Sequence, residues 1–142
     1  FGLEKTEPEK QQQEQKEQKE EQKPQDFRKL LAMANRLQEN GASQKALALY
    51  DRVLEVKPGL AAALTGKGWC YVDMGSFRMA ANWFKQALRV NPGNPSALIG
   101  IAEAYKSMGD KARAVKYYEK YLQLHPSGED APVARRNLQE LK

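Results

Sequence analysis

Residues 61–94 read AAALTGKGWCYVDMGSFRMAANWFKQALRVNPGN, and this stretch decides the fold. On each side of Gly75 its apolar residues recur every three or four positions, the spacing of two amphipathic helices joined by a turn. Gly75 suits the left-handed backbone that ends a helix, and Ser76 offers a side-chain oxygen to the free amides of the next one. Pro92 then closes the unit.

A shift of 34 residues brings the neighbouring sequence into register with this stretch. Gly41, Gly75 and Gly109 align, as do Ala46, Ala80 and Ala114, and Pro58, Pro92 and Pro126. So do the aromatics Tyr50, Phe84 and Tyr118, and two leucine columns, Leu30, Leu64, Leu98 and Leu54, Leu88, Leu122. A fixed period of this length marks stacked units that cover one another's apolar faces. The pattern predicts helices near 27–40, 43–57, 61–74, 77–90, 95–108 and 111–124, that is, three helical hairpins in an all-α solenoid. Asp26, Ser43, Ser76, Asp110 and Asn94, the last followed by Pro95, are the expected caps. Val133, Ala134, Leu138 and Leu141 then predict a capping helix over about 129–141, covering the third unit.

The flanking tail is different. Of the 142 residues, the first 26 carry 5 lysines against 8 acidic groups and only Phe1 and Leu3 from the apolar set, whereas the rest carries 18 basic against 10 acidic groups. The net +5 is therefore the sum of an acidic spacer near −3 and a basic body near +8. EKQQQEQKEQKEEQKPQD, residues 9–26, has nothing to bury and is expected to be a mostly disordered linker, with a transient helix ending before Pro24. Pairs such as Gln15/Lys19 and Lys16/Glu20 add only ~0.2–0.5 kcal/mol each. The stretch opens at Phe1 without a secretion-signal pattern and is expected to be a segment of something longer.

The 34-residue unit resembles the tetratricopeptide repeat. Leu64, Gly68, Tyr71, Ala80, Phe84, Ala87 and Pro92 fall on that family's signature columns, and the resemblance runs from Phe27 to about Pro126 in units of about 27–60, 61–94 and 95–128. Lys67 stands where an apolar residue is expected, Leu37 replaces a tyrosine, and Tyr121 replaces an alanine, so Tyr121 is expected to pack against the terminal segment. The uninterrupted repeats and short cap look like those of bacterial members.

Catalysis is not expected, since an acid/base or metal site needs several converging groups and the chain has one histidine, one cysteine and no carboxylate cluster. His125 reads as an exposed loop residue and Cys70 as a small core filler. No cofactor, metal or phosphate loop is expected, since Gly66, Gly68 and Gly75 lie in and after a helix. No apolar run approaches the ~20 residues of a membrane-spanning helix.

The resemblance implies a scaffold that binds a peptide or helix of a partner in the concave groove formed by the first helix of each pair. The columns it places there give Arg28, Leu31, Asn35, Thr65, Trp69, Val72, Ile99, Glu103 and Lys106 as candidate site residues. Ala32, Gly66 and Gly100 fill another column, which predicts a shallow middle able to admit bulky side chains. Trp69 stands among polar neighbours and is either an exposed hot spot or a bridge to the next first helix. Trp83 and Tyr117 are expected on the convex side or in the seams between units. The family's clamp for a C-terminal carboxylate uses two lysines, two asparagines and an arginine; the matching positions here hold Leu31, Asn35, Gly66, Ser96 and Gly100, and only Asn35 fits.

The basic body favours an acidic protein partner through attraction at a distance. Nucleic acid ranks lower, because Lys45, Arg52, Arg78, Lys85, Arg89, Arg113 and Lys116 lack a stripe of stacking aromatics beside them. A third reading is self-assembly through the uncapped first unit, giving a monomer or weak homo-oligomer. One cysteine and no disulfide suit the cytoplasm, with a periplasmic or envelope-associated protein as the alternative.

Overall fold

The computed structural model describes residue 4 and residues 6–22 and 26–142, without the side chains of 17–22. Among these residues there are eight helices and no strand. They are α1 Glu7–Gln22, α2 Phe27–Glu39, α3 Ser43–Val56, α4 Ala61–Asp73, α5 Phe77–Val90, α6 Pro95–Ser107, α7 Lys111–Leu124 and α8 Ala131–Leu141. The six repeat helices begin where the periodicity places them and end within one residue of it.

Each hairpin turns at a glycine. Gly41, Gly75 and Gly109 have φ of 82°, 76° and 80°, and the amide after each reaches back to the helix it ends, as Ala42 N does to Leu37 O at 2.8 Å. A residue with a Cβ is strained there, which is why glycine recurs with the period. Three caps match the expectation: Asp26 accepts from Arg28 N at 3.0 Å, Asn94 from Ala97 N at 3.1 Å and Asp110 from Arg113 N at 3.1 Å. Two do not. Ser43 is the first residue of α3 and its hydroxyl lies 3.5 Å from Asp73 instead, while Ser76 makes no side-chain cap bond to α5. Those helices start on the tight turn after the glycine, which already fixes the chain's entry.

Hairpins α2/α3, α4/α5 and α6/α7 stack in order, and the first helices α2, α4 and α6 also touch in sequence, forming one wall. The aromatic column provides the filling. Tyr50, Phe84 and Tyr118 are completely buried, each between its own hairpin and the next element. Tyr121 is buried as expected, its hydroxyl accepting from Asp130 N at 3.0 Å where the chain enters α8. His125 corrects the sequence reading: it is half-buried, and its Nε2–H donates to Gly93 O at 2.6 Å, pinning successive inter-repeat loops together.

In the tail, where the sequence expects a helix ending before Pro24, residues 7–22 form one helix. Glu, Gln and Lys all favour helix, and Thr6 N–H bonds Glu9 Oε2 at 3.2 Å to start it. The described side chains of α1 are exposed, and among the described residues α1 forms no packed pair with the array. Phe1, Leu3, Pro24 and the side chains of Lys19 and Glu20, on which the sequence reading touched, lie outside the described residues.

Candidate functional site

On the wall of first helices, α2, α4 and the start of α6 enclose a cleft of about 390 Å³. Asn35 and Gln38 come from α2, Thr65, Gly66 and Trp69 from α4, and Ser96 from α6. They face the same way because three- and four-residue steps along a helix return to one face. Tyr50 reaches through from α3, and its hydroxyl donates to Asn35 Oδ1 at 2.5 Å. Burial, with Cys70 and Glu39 adding to it, pushes the Tyr50 hydroxyl well above its usual range, so it stays a donor and leaves the Asn35 amide nitrogen available. Gln38 Nε2 is held by Asp73 Oδ2 at 2.9 Å.

Trp69 is half-buried. Its indole Nε1–H donates to Ser96 Oγ at 2.9 Å, and its ring meets Phe84 edge to face with centroids 5.4 Å apart. Trp69 therefore bridges to the next first helix, and the rest of its ring lines the cleft. Thr65 Oγ1 is buried with no hydrogen-bond partner among the described residues. Glu39 is the one carboxylate of the lining, which is otherwise amides, hydroxyls and rings.

Of the nine residues named from sequence, Asn35, Thr65 and Trp69 meet here. The others do not. Leu31 and Val72 are half-buried against the core, and Ile99 is buried in it. Arg28 is exposed, with its guanidinium 5.5 Å from the Phe27 ring. Glu103 and Lys106 line a separate cleft of about 630 Å³ facing α8, where Lys106 bonds Asn137 and lies 3.8 Å from Glu140. Burial, reinforced by Asp130 and opposed by Lys106, pushes the Glu103 carboxyl up.

The shallow middle is also corrected. A Cβ on Gly66 would stand 2.2 Å from Tyr50 Cζ, and one on Gly100 would stand 2.4 Å from Phe84 Cζ. The space that small residues leave is thus filled from behind by the chain's own rings. Sequence reasoning missed Glu39, Tyr50 and Asn94 in the lining. The signal was the register between the aromatic column and the glycines one helix later.

Lys67, the odd residue of its column, is only 7% exposed. Its ammonium pairs with Asp51 and sits 3.7 Å from the centre of the Trp83 ring, so a charged head takes the apolar place by lying between a carboxylate and an aromatic face. Trp83 and Tyr117 are half-buried, and the contacts of each ring lie within its own hairpin: Lys67 over Trp83, and Tyr117 stacked on Tyr105 at 5.8 Å. Among the described residues no three His, Cys, Asp or Glu side chains converge as metal ligands would, and no helix is long and apolar enough to cross a membrane.

A stack of helical hairpins with a polar cleft on its first-helix wall and a terminal capping helix defines the class: an α-solenoid of the repeat type. The family model for the tetratricopeptide repeat matches residues 66–129. This chain has the tetratricopeptide repeat fold, and that segment matches the family's pattern. No curated protein matches the chain by sequence. Among solved structures it is similar to the tetratricopeptide repeat domain of Sgt2 from Aspergillus fumigatus, with 26% identity and a TM-score of 0.74 over 81% of this chain and 76% of that one. It is also similar to YrrB, a tetratricopeptide repeat protein with an unusual peptide-binding site, at 26% identity and a TM-score of 0.73 over 86% and 61%. The first such domain of Spaghetti (RPAP3), bound to the HSP90 peptide SRMEEVD, shares the fold at 20% identity and a TM-score of 0.76 over 82% and 93%.

Proposed function

We propose that this chain is a protein-interaction module that docks a peptide or helix of a partner in the cleft between α2, α4 and α6. The observation that carries the reading is Trp69, a large ring fixed by Ser96 and Phe84 yet still lining a cleft in which Thr65 Oγ1 has no partner among the described residues and the Asn35 amide nitrogen is available. A pre-positioned aromatic loses little freedom on binding, and amides beside it can pair with a peptide backbone. YrrB, which shares the fold at 26% identity, carries a peptide-binding site, which supports a peptide as the ligand class. The lining suits a segment with polar backbone contacts and one bulky apolar side chain. An acidic chain end would find Glu39 in the cleft, and at Gly66 and Gly100 it would find the Tyr50 and Phe84 rings rather than cations.

The test is affinity capture with the full chain and with Trp69→Ala, followed by titration of the captured partner. Loss of a central aromatic anchor costs ~2 kcal/mol or more of binding. Unchanged affinity with an unchanged helical spectrum would sink the assignment of the cleft. A second reading, self-association through α2, is favoured by Met33, which is 50% exposed on that helix. Light scattering over a concentration series decides it, with a constant monomer mass ruling it out.

A further inference from the structure

The opposite side of the array carries a second site that the groove reading does not use. Between α5, the end of α6 and the start of α7 lies a cleft of about 320 Å³, with Arg78 and Lys85 on one side, Arg113 on the other and Tyr105 as its floor. Helix α5, FRMAANWFKQALRV, has no acidic residue in its whole length. The one carboxylate in the lining is Asp110, and both of its oxygens are engaged by Arg113: the backbone amide lies 3.1 Å from Oδ1 and the guanidinium 2.9 Å from Oδ2. Arg78 and Lys85 make no ion pair among the described residues. The cleft therefore holds Arg78 and Lys85 unpaired beside an Arg113–Asp110 ion pair, which leaves its lining two positive charges in excess.

The cations converge where exposed side chains of like charge would ordinarily spread apart. Lys85 Nζ and Arg113 Cζ lie 5.6 and 5.5 Å from the centre of the same Tyr105 ring, and Lys116 lies 5.8 Å from the Tyr117 ring stacked beside it. The negative faces of the two rings offset part of the repulsion among Lys85, Arg113 and Lys116. Exposed Met108 forms the rim, an adaptable apolar surface beside the charges.

We infer that this convex cleft is a second docking surface, taking an acidic, leucine-like segment of a partner protein while the groove on the other wall remains free. Arg78 and Lys85 are seven residues apart on one helix, or ~10 Å along its axis. An extended peptide rises ~3.3 Å per residue and alternates its side chains, so carboxylates four positions apart share a face and span ~13 Å, within reach of the long Arg78 and Lys85 side chains. An apolar residue between them would meet Met108. A single-stranded nucleic acid fits less well, because it binds by stacking bases on open rings, and Tyr105 is only 4% exposed, with a face against Tyr117.

The test uses the full chain and a fluorescein-labelled peptide repeating Glu-Glu-Leu, with its Gln-Gln-Leu counterpart as control, read by fluorescence anisotropy. The acidic peptide binds, the amide peptide does not, and binding weakens with salt. Arg78→Glu with Lys85→Glu lowers affinity by about tenfold or more. Lys45→Glu with Arg52→Glu, two exposed cations reversed on α3, leaves it unchanged, and so does Trp69→Ala on the other wall. Equal losses from the two charge reversals would mean diffuse attraction and overturn the site. Loss with Trp69→Ala alone would move the peptide to the groove. Tighter binding of oligo-dT than of the acidic peptide, lost with Arg78 and Lys85, would make the surface one for nucleic acid. Failure to bind the acidic peptide at low salt would end the proposal.

Discussion

The indole Nε1–H of Trp69 donates to Ser96 Oγ at 2.9 Å, tying the first helix of the second repeat to that of the third. The pair sits at the edge of the cleft, where water competes for both groups, so its net worth is that of an ordinary hydrogen bond, about 0.5–1.5 kcal/mol. Trp69→Phe keeps most of the ring against Phe84 and should cost about that much in urea denaturation. Ser96→Ala should then cost less in the Trp69→Phe background than in the parent, since the bond is already gone. Two effects that simply add would show that the contact couples nothing.

Gly100 is kept small by Phe84. An alanine there should gain ~1 kcal/mol of helix propensity. Its methyl would nevertheless stand 2.4 Å from Phe84 Cζ, and the ring cannot retreat because it also abuts Gly68, where a Cβ would lie 2.5 Å from Cε1. Overpacking of this kind costs about 1–3 kcal/mol, so the sign should be destabilising. Gly59→Ala, whose Cβ would have nothing within 4 Å, should stay near neutral. Phe84→Leu in the Gly100→Ala background should recover part of the loss, and thermal melts of the set read it. A Gly100→Ala protein as stable as its parent would mean that the ring is not wedged.

Lys67 is the buried partner and Asp51 the exposed one, with side-chain exposures of 8% and 56%. Removing each should therefore have a different effect. Asp51→Ala leaves an ammonium buried against Trp83 with one partner gone, and with screening at the exposed end it should cost about 1 kcal/mol. Lys67→Met keeps the stem and removes the charge, and should be neutral or stabilising. The Asp51→Ala penalty should also shrink as salt rises. Equal penalties for the two changes in urea titrations would contradict this asymmetry.

Periodicity alone placed all six repeat helices, because an amphipathic hairpin with glycine at its turn has few other ways to bury its apolar face. The cleft was only half legible, and the reason is geometric. A column assignment says which helix face a residue lies on, but Thr65 and Ile99 share that face and are buried all the same. How deep they sit depends on the ring arriving from the helix behind: Tyr50 over Gly66 and Phe84 over Gly100. Glu103 and Lys106 went to a different cleft because α8 comes close enough for Asn137 and Glu140 to hold Lys106. Where α8 enters, the Tyr121–Asp130 bond holds it; the substitution at Tyr121 announced a contact with the terminal segment but not the position that segment takes.

The buried thiol and phenols set the alkaline limit of the fold. Burial first, then Asp73, pushes the Cys70 thiol from 9.0 up to about 12, against a smaller pull down from Lys67. Burial, then Glu103 and Glu140, takes Tyr118 from 10.0 up to about 12, and Tyr50 rises further still. Each group keeps its proton longer when folded than when unfolded, so between the two values the unfolded state binds fewer protons and stability falls as pH rises. The loss should begin near pH 9 with Cys70 and steepen above pH 10 as the tyrosines join. One such group gives a slope of about 1.4 kcal/mol per pH unit. Urea denaturation at a series of pH values between 8 and 11 measures it, and Cys70→Ala should leave the curve flat until about pH 10, whatever the substitution costs in absolute stability. If the variant declines from pH 9 with the parent's slope, the thiol is not the group that starts the loss.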